Sequence, residues 1–207
     1  MLLLVLLAWG LRVVRLGDLA LVRDEAYFYQ WGQHLDWAYY DHPAGTGVLA
    51  WLSSSLSGGS EFGVRWLNVV VGTLCVVLTF WLGRWVLGRG TGLLGAAAVA
   101  FGAPYVITSR LLYTDALHLA SLLLVLGTYW RLVCHRDDRL GDGLALGLSL
   151  ALMVNTKYTA YLVAIALAGA TLLDHRSVLK KSSTWWAVGL GLLGLVPVLA
   201  WNARHGW

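Results

Sequence analysis

Two adjacent carboxylates, Asp24 and Glu25, open the segment VRDEAYFYQWGQHLDWAYYDHP, which also carries Asp36, Asp41, His34, His42 and seven aromatic residues. Carboxylates at a membrane surface can take a proton from an attacking hydroxyl. His34, Asp36, Asp41 and His42 are of metal-ligating type, but no H-E-x-x-H or C-x-x-C spacing supports a metal site. Asp115 and His118 stand three residues apart in LLYTDALHL, on one face of a helix. Lys157, in VNTKYTA, is a compact cation suited to a phosphate. Each also has an ordinary reading: the acids as helix caps, the lysine as a solvated charge, the aromatic residues as an interfacial belt. Phosphate-cradling P-loops, G-x-S-x-G elbows and dinucleotide fingerprints are absent. No cofactor is therefore expected, although a divalent metal could assist.

The elements that must position these residues are apolar. The chain is 58% hydrophobic and 13% charged, with a mean hydropathy of +0.67, far from a soluble globular composition. A helix needs roughly 20 apolar residues to cross a hydrocarbon core about 30 Å thick. Seven segments meet or approach that length: Met1 to Leu16, Val64 to Leu87, Thr91 to Thr108, Ala116 to Val133, Leu140 to Val154, Thr159 to Leu173 and Trp185 to Trp201. The composition predicts an all-α, polytopic transmembrane helix bundle of about seven spans, with a long first outer loop, 18–62, that contains juxtamembrane helices. Arg12 and Arg15 fall in the last turns of the first span and are expected to snorkel to the headgroups. The glycines of GLALGLSLAL and GLGLLGL are expected where helices pack closely. Cys75 and Cys134 lie in or beside apolar runs, which predicts no disulfide.

The 15 Lys and Arg residues are dispersed between apolar runs rather than gathered on one face, so nucleic acid is not an expected partner. The basic loop HRSVLKK is the clearest positive-inside signal and places Asp24, Asp115 and Lys157 on the outer side. Two function classes follow: an enzyme acting at that face, or a catalytically silent membrane module or transporter-like bundle. No internal repeat is found and the acids cluster at one face rather than midway, which favours the enzyme.

The pieces RDEAYFYQWGQHLDWAYYDHPAGTGVLAWL, EFGVRWLNVVVGT, LLYTDALHLASLLLVLGTYW, GLALGLSLALMVNTKYTAYLV and LVPVLAWNARHGW resemble, in family order, the multi-spanning GT-C glycosyltransferases of the protein O-mannosyltransferase and aminoarabinose transferase type, particularly their bacterial branch. The resemblance implies an inverting transfer of a sugar from a polyprenyl-phosphate donor to a hydroxyl of a protein or lipid acceptor. The active site would face the periplasm or exterior of a bacterial inner membrane. It implies Asp24 as the catalytic acid residue that accepts the acceptor's proton, with Glu25 orienting the site. Asp115 would hold sugar or acceptor, Lys157 would neutralise the leaving phosphate, and Tyr40 and His42 would complete the substrate-binding set. Members of the family continue with further spans and an outer domain, so residues 1–207 are expected to be the N-terminal part of a single GT-C transmembrane domain.

Overall fold

The structure, a computed structural model, describes residues 1–207 and is built of helices and their connecting turns, with one isolated bridge between Ala38 and Pro43. The elements are α1 (Leu2–Val13), α2 (Arg23–Gln33), α3 (Gly45–Ser57), α4 (Glu61–Leu87), α5 (Arg89–Phe101), α6 (Ala103–Arg110), α7 (Thr114–Cys134), α8 (Leu140–Val154), α9 (Ala160–Asp174), a 3-10 turn (Arg176–Lys180), α10 (Ser182–Leu193) and α11 (Val196–His205). All seven apolar segments are helical, and α2 and α3 occupy the long loop. Helix α4, helix α7 and the run Ser182–His205 are long and apolar enough to cross a membrane, and α5 with α6 qualifies as a pair bent by 56°. The other three, α1, α8 and α9, are shorter apolar helices. Their 12 to 15 residues reach only about 18–23 Å at 1.5 Å per residue, short of a full crossing. The expected seven spans thus become three to four of full length. Exposed Leu94, Leu162, Ile165, Leu173 and Leu193 give the helices a lipid-compatible surface. The chain is an integral membrane protein.

Two compact units divide it, one of residues 1–36 and 45–123, the other of 37–44 and 124–207. The first has a core of mostly small side chains, Ala8, Cys75, Val76, Phe80, Ala96, Val99, Ala100 and Ala120. Here the expectation for Arg12 fails: its side chain is fully buried instead of reaching headgroups. The cause lies in the break between α5 and α6. Pro104 has no N–H, so the carbonyl four residues earlier, on Ala100, loses its helical donor. Arg12 supplies one, donating from Nη1 to Ala100 at 2.9 Å and from Nη2 to the Val99 carbonyl at 2.9 Å, while Nε bonds Ser109 Oγ at 2.8 Å. Arg15 is exposed and pairs with Asp18 at 2.6 Å.

In the second unit, α8 lies against α10 where glycines permit it. A Cβ on Gly143 would stand 2.0 Å from the Ser183 carbonyl oxygen, and one on Gly147 would stand 2.6 Å from Leu190 Cβ. Only hydrogen fits at those positions, as the glycine spacing of the segment suggests. Asn155 Nδ2 donates to the Gly194 carbonyl at 2.7 Å and closes the other end of this contact. Both cysteines are free.

Candidate active site

Helix α2 starts without a side-chain oxygen at its cap, since Val22 precedes it. Glu25, third in the helix, reaches back to accept the Val22 N–H at 3.0 Å, which satisfies an otherwise orphaned donor. The same carboxylate accepts Arg65 Nε at 2.7 Å, Arg65 Nη2 at 2.6 Å and the Leu112 N–H at 2.9 Å. Arg65 spends its three remaining N–H groups on the carbonyls of Leu16 and Leu19, both at 2.8 Å, and Ala20 at 3.0 Å. Neither charge sees water: Glu25 is 0% and Arg65 2% exposed. One buried ion pair therefore ties together α4, the segment 16–22, the start of α2 and the turn before α7. Of the two adjacent acids, Asp24 alone faces solvent. A capping carboxylate with four N–H partners is drawn inward.

Asp24 is exposed in the first turn of α2, and Asp115 is exposed in the first turn of α7. Helix N-termini favour negative charge at both places. Tyr113 reports on the pair. Burial first, and then the charges of Asp24, Glu25 and Asp115, push its phenol above the usual tyrosine range. Its ring meets Phe28 of α2 edge-on at 6.3 Å. Asn68 holds the turn that carries Tyr113, donating to the carbonyls of Thr108, at 3.0 Å, and Leu111. Tyr113 escaped sequence reading because it is one aromatic residue among many; only the Glu25 bond to its neighbour Leu112 marks the place. His118 lies one turn inside α7 and, with Asp115, Arg12 and Ser109, lines a cavity of about 260 Å³. It is half-buried at that cavity, a setting that suits an ionisable side chain in an apolar helix.

Tyr40, His42 and Lys157 belong to the second unit. The Tyr39 N–H donates to the His42 carbonyl at 2.8 Å, and His42 Nδ1 is 3.4 Å from Asp41 Oδ2, so the Ala38–Pro43 bridge forms a closed turn. Tyr40 stands out from it, 91% exposed. Lys157 sits in the turn between α8 and α9, its carbonyl accepting the Ala160 N–H at 3.0 Å. Beside it Tyr158 and Tyr161, with Tyr40 and Asn202, line a cavity of about 530 Å³. Burial, and then the charge of Asp41, push the Tyr158 phenol upward. The six residues singled out thus form two sets, Asp24, Glu25 and Asp115 in one unit and Tyr40, His42 and Lys157 in the other. No three His, Cys, Asp or Glu side chains gather to hold a metal ion.

Carboxylates exposed at helix N-termini, braced by a buried ion pair in an apolar helical framework, define an integral membrane protein with a polar site at its helix ends. Residues 41–201 match the model of the dolichyl-phosphate-mannose-protein mannosyltransferase family, and the chain belongs to that family. Its match takes in His42, Asp115 and Lys157 and starts after Asp24, Glu25 and Tyr40. The chain is also 30% identical over 188 residues to a lipid A galacturonosyltransferase, RgtD, of Rhizobium johnstonii. That similarity covers 88% of this chain and 38% of the relative, so the chain spans well under half the relative's length.

Proposed function

We propose that this chain is the catalytic N-terminal part of an inverting membrane glycosyltransferase, which moves a sugar from a polyprenyl phosphate to an acceptor hydroxyl at the outer face of a bacterial inner membrane. Family membership supports the lipid-linked donor. The relative's named activity on lipid A favours a lipid acceptor over a protein one. The basic loop around Arg176–Lys180 supports the orientation. The observation that carries the reading is the division of labour at the start of α2: Glu25 is buried in the ion pair, while Asp24 beside it is exposed and braced.

In the reaction, Asp24 takes the proton of the acceptor hydroxyl as that oxygen attacks the anomeric carbon. The bond from that carbon to the phosphate oxygen breaks, and the polyprenyl phosphate leaves with the electron pair. One displacement inverts the anomeric configuration. Lys157 offsets the negative charge growing on the leaving phosphate. Asp115 orients hydroxyls of the sugar or acceptor, and Tyr40 and His42 contact the donor. Asp24→Asn in the full-length protein tests it: transfer from a polyprenyl-phosphate sugar should fall roughly a hundredfold or more, about 3 kcal/mol of barrier, with membrane insertion unchanged. Turnover near that of the parent would return Asp24 to the role of a helix-terminal charge.

A further inference from the structure

Within the second unit, the end away from the Lys157 turn carries a different site. The C-terminus of α7, the N-terminus of α8, the 3-10 turn after α9 and the start of α10 enclose an open cavity of about 410 Å³, lined by His135, Arg136, Asp138, Ser177, Lys180 and Lys181. Three fixed cations face one carboxylate there. That carboxylate is already committed: Asp138 Oδ1 accepts the Ser183 N–H at 3.0 Å and Oδ2 the Ser182 N–H at 2.7 Å, which caps α10. His135 gives Nδ1 to Asp142 at 2.5 Å, and Arg131 holds the other oxygen of Asp142 at 2.7 Å, so this second acid is neutralised and only 2% exposed. Lys181 donates to the Leu132 carbonyl at 2.8 Å and to that of His135, leaving one of its three N–H groups. The cavity is therefore cationic in effect.

Across the same short turn the surface becomes apolar. A cleft of about 480 Å³ runs between helices, lined among others by Leu132, Leu172, Val178, Leu179, Val188 and Leu192. Ser177, Lys180 and Lys181 thus belong to the cationic cavity, while Val178 and Leu179 between them belong to the cleft. Exposed Trp185 and Trp186 flank it, Trp185 donating to the Leu179 carbonyl at 3.1 Å. Tryptophan in such numbers marks headgroup depth.

We propose that this turn is the centre of a binding site for an anionic phospholipid, its phosphodiester in the cavity and one acyl chain in the cleft. Charge complementarity selects the anionic headgroup, since basic pockets between membrane helices attract such lipids. The adjoining cleft selects a lipid over free phosphate. The site is at the opposite end of α8 from Lys157 and does not rest on the transferase reading.

The test is lipid retention by the full-length protein in phosphatidylcholine nanodiscs doped with phosphatidylglycerol, read by native mass spectrometry. Phosphatidylglycerol should be retained over phosphatidylcholine. Lys180→Gln should weaken it about fivefold and Arg136→Gln with Lys180→Gln roughly thirtyfold, from the contribution of each near-surface cation. Both side chains are exposed, so unfolding in pure phosphatidylcholine should match the parent. Inorganic phosphate should not displace the lipid. Equal retention by the double variant, or displacement by inorganic phosphate, would overturn the proposal. So would a preference for polyprenyl phosphate over phosphatidylglycerol, which would make this a donor site.

Discussion

Glu25→Gln preserves the shape of the side chain at the centre of the first unit and removes its charge. Four N–H groups now converge on two carboxylate oxygens: Arg65 Nε and the Leu112 N–H on Oε1, Arg65 Nη2 and the Val22 N–H on Oε2. A glutamine keeps one oxygen and turns an NH2 on the other pair of donors, so in either orientation at least two hydrogen bonds are lost. Arg65, 2% exposed, is then left charged without its counter-ion. Breaking one side of such a buried pair costs about 3–5 kcal/mol. An apolar pair at 25 and 65 would not recover it, because the carbonyls of Leu16, Leu19 and Ala20 would lose Arg65 as well. Equilibrium unfolding in a bilayer mimetic, followed by tryptophan fluorescence, should show that loss, with new protease cleavage in residues 16–22. Asp24→Asn, at an exposed position, should stay within about 0.5 kcal/mol of the parent. If Glu25→Gln unfolds together with Asp24→Asn and the parent, the ion pair is not what braces Asp24.

Arg12→Met should cost roughly 2–6 kcal/mol, since it leaves the Val99 and Ala100 carbonyls unpaired at the α5–α6 break; an unfolding midpoint equal to the parent's would contradict that account. Gly143→Ala should destabilise the α8–α10 contact by about 1–3 kcal/mol, because its Cβ meets backbone 2.0 Å away, and hydrogen exchange of α10 should quicken. The bonds from Ser183 and Ser182 hold the Asp138 carboxyl well below the usual range. A lowered folded-state value stabilises above the ordinary aspartate pKa and is lost as pH falls through the folded value. Acid unfolding curves of the parent and Asp138→Asn should therefore separate near neutrality and converge in strong acid; a constant gap would show that charge is not involved.

The helices were legible because apolar runs of this length have few other outcomes, and the glycines of α8 announced the close packing that Gly143 and Gly147 provide. Crossing lengths were less so. Hydropathy measures how apolar a segment is, not where its hydrogen-bond ladder ends, and α1, α8 and α9 end after 12 to 15 residues. Arg12 was misread for a related reason. An arginine near the end of an apolar run usually finds water, but here the Ala100 carbonyl freed by Pro104, ninety-two positions away in sequence, offers it a partner first. Such pairing depends on which helices become neighbours, and no local pattern encodes it.

The Asp24-Glu25 pair shows how far a motif can be taken. Successive helical residues point about 100° apart, so two adjacent acids in one turn need not share one environment. Glu25, at the third helical position, is the one that can reach back to the Val22 N–H, and that geometry turns it toward Arg65 and the core. Asp24 is left facing outward by the same rotation. The sequence names both residues and their order, and helix geometry then buries the second in the ion pair and leaves the first exposed. In three dimensions the two acids are a buried anchor, Glu25, and an exposed carboxylate beside it, Asp24.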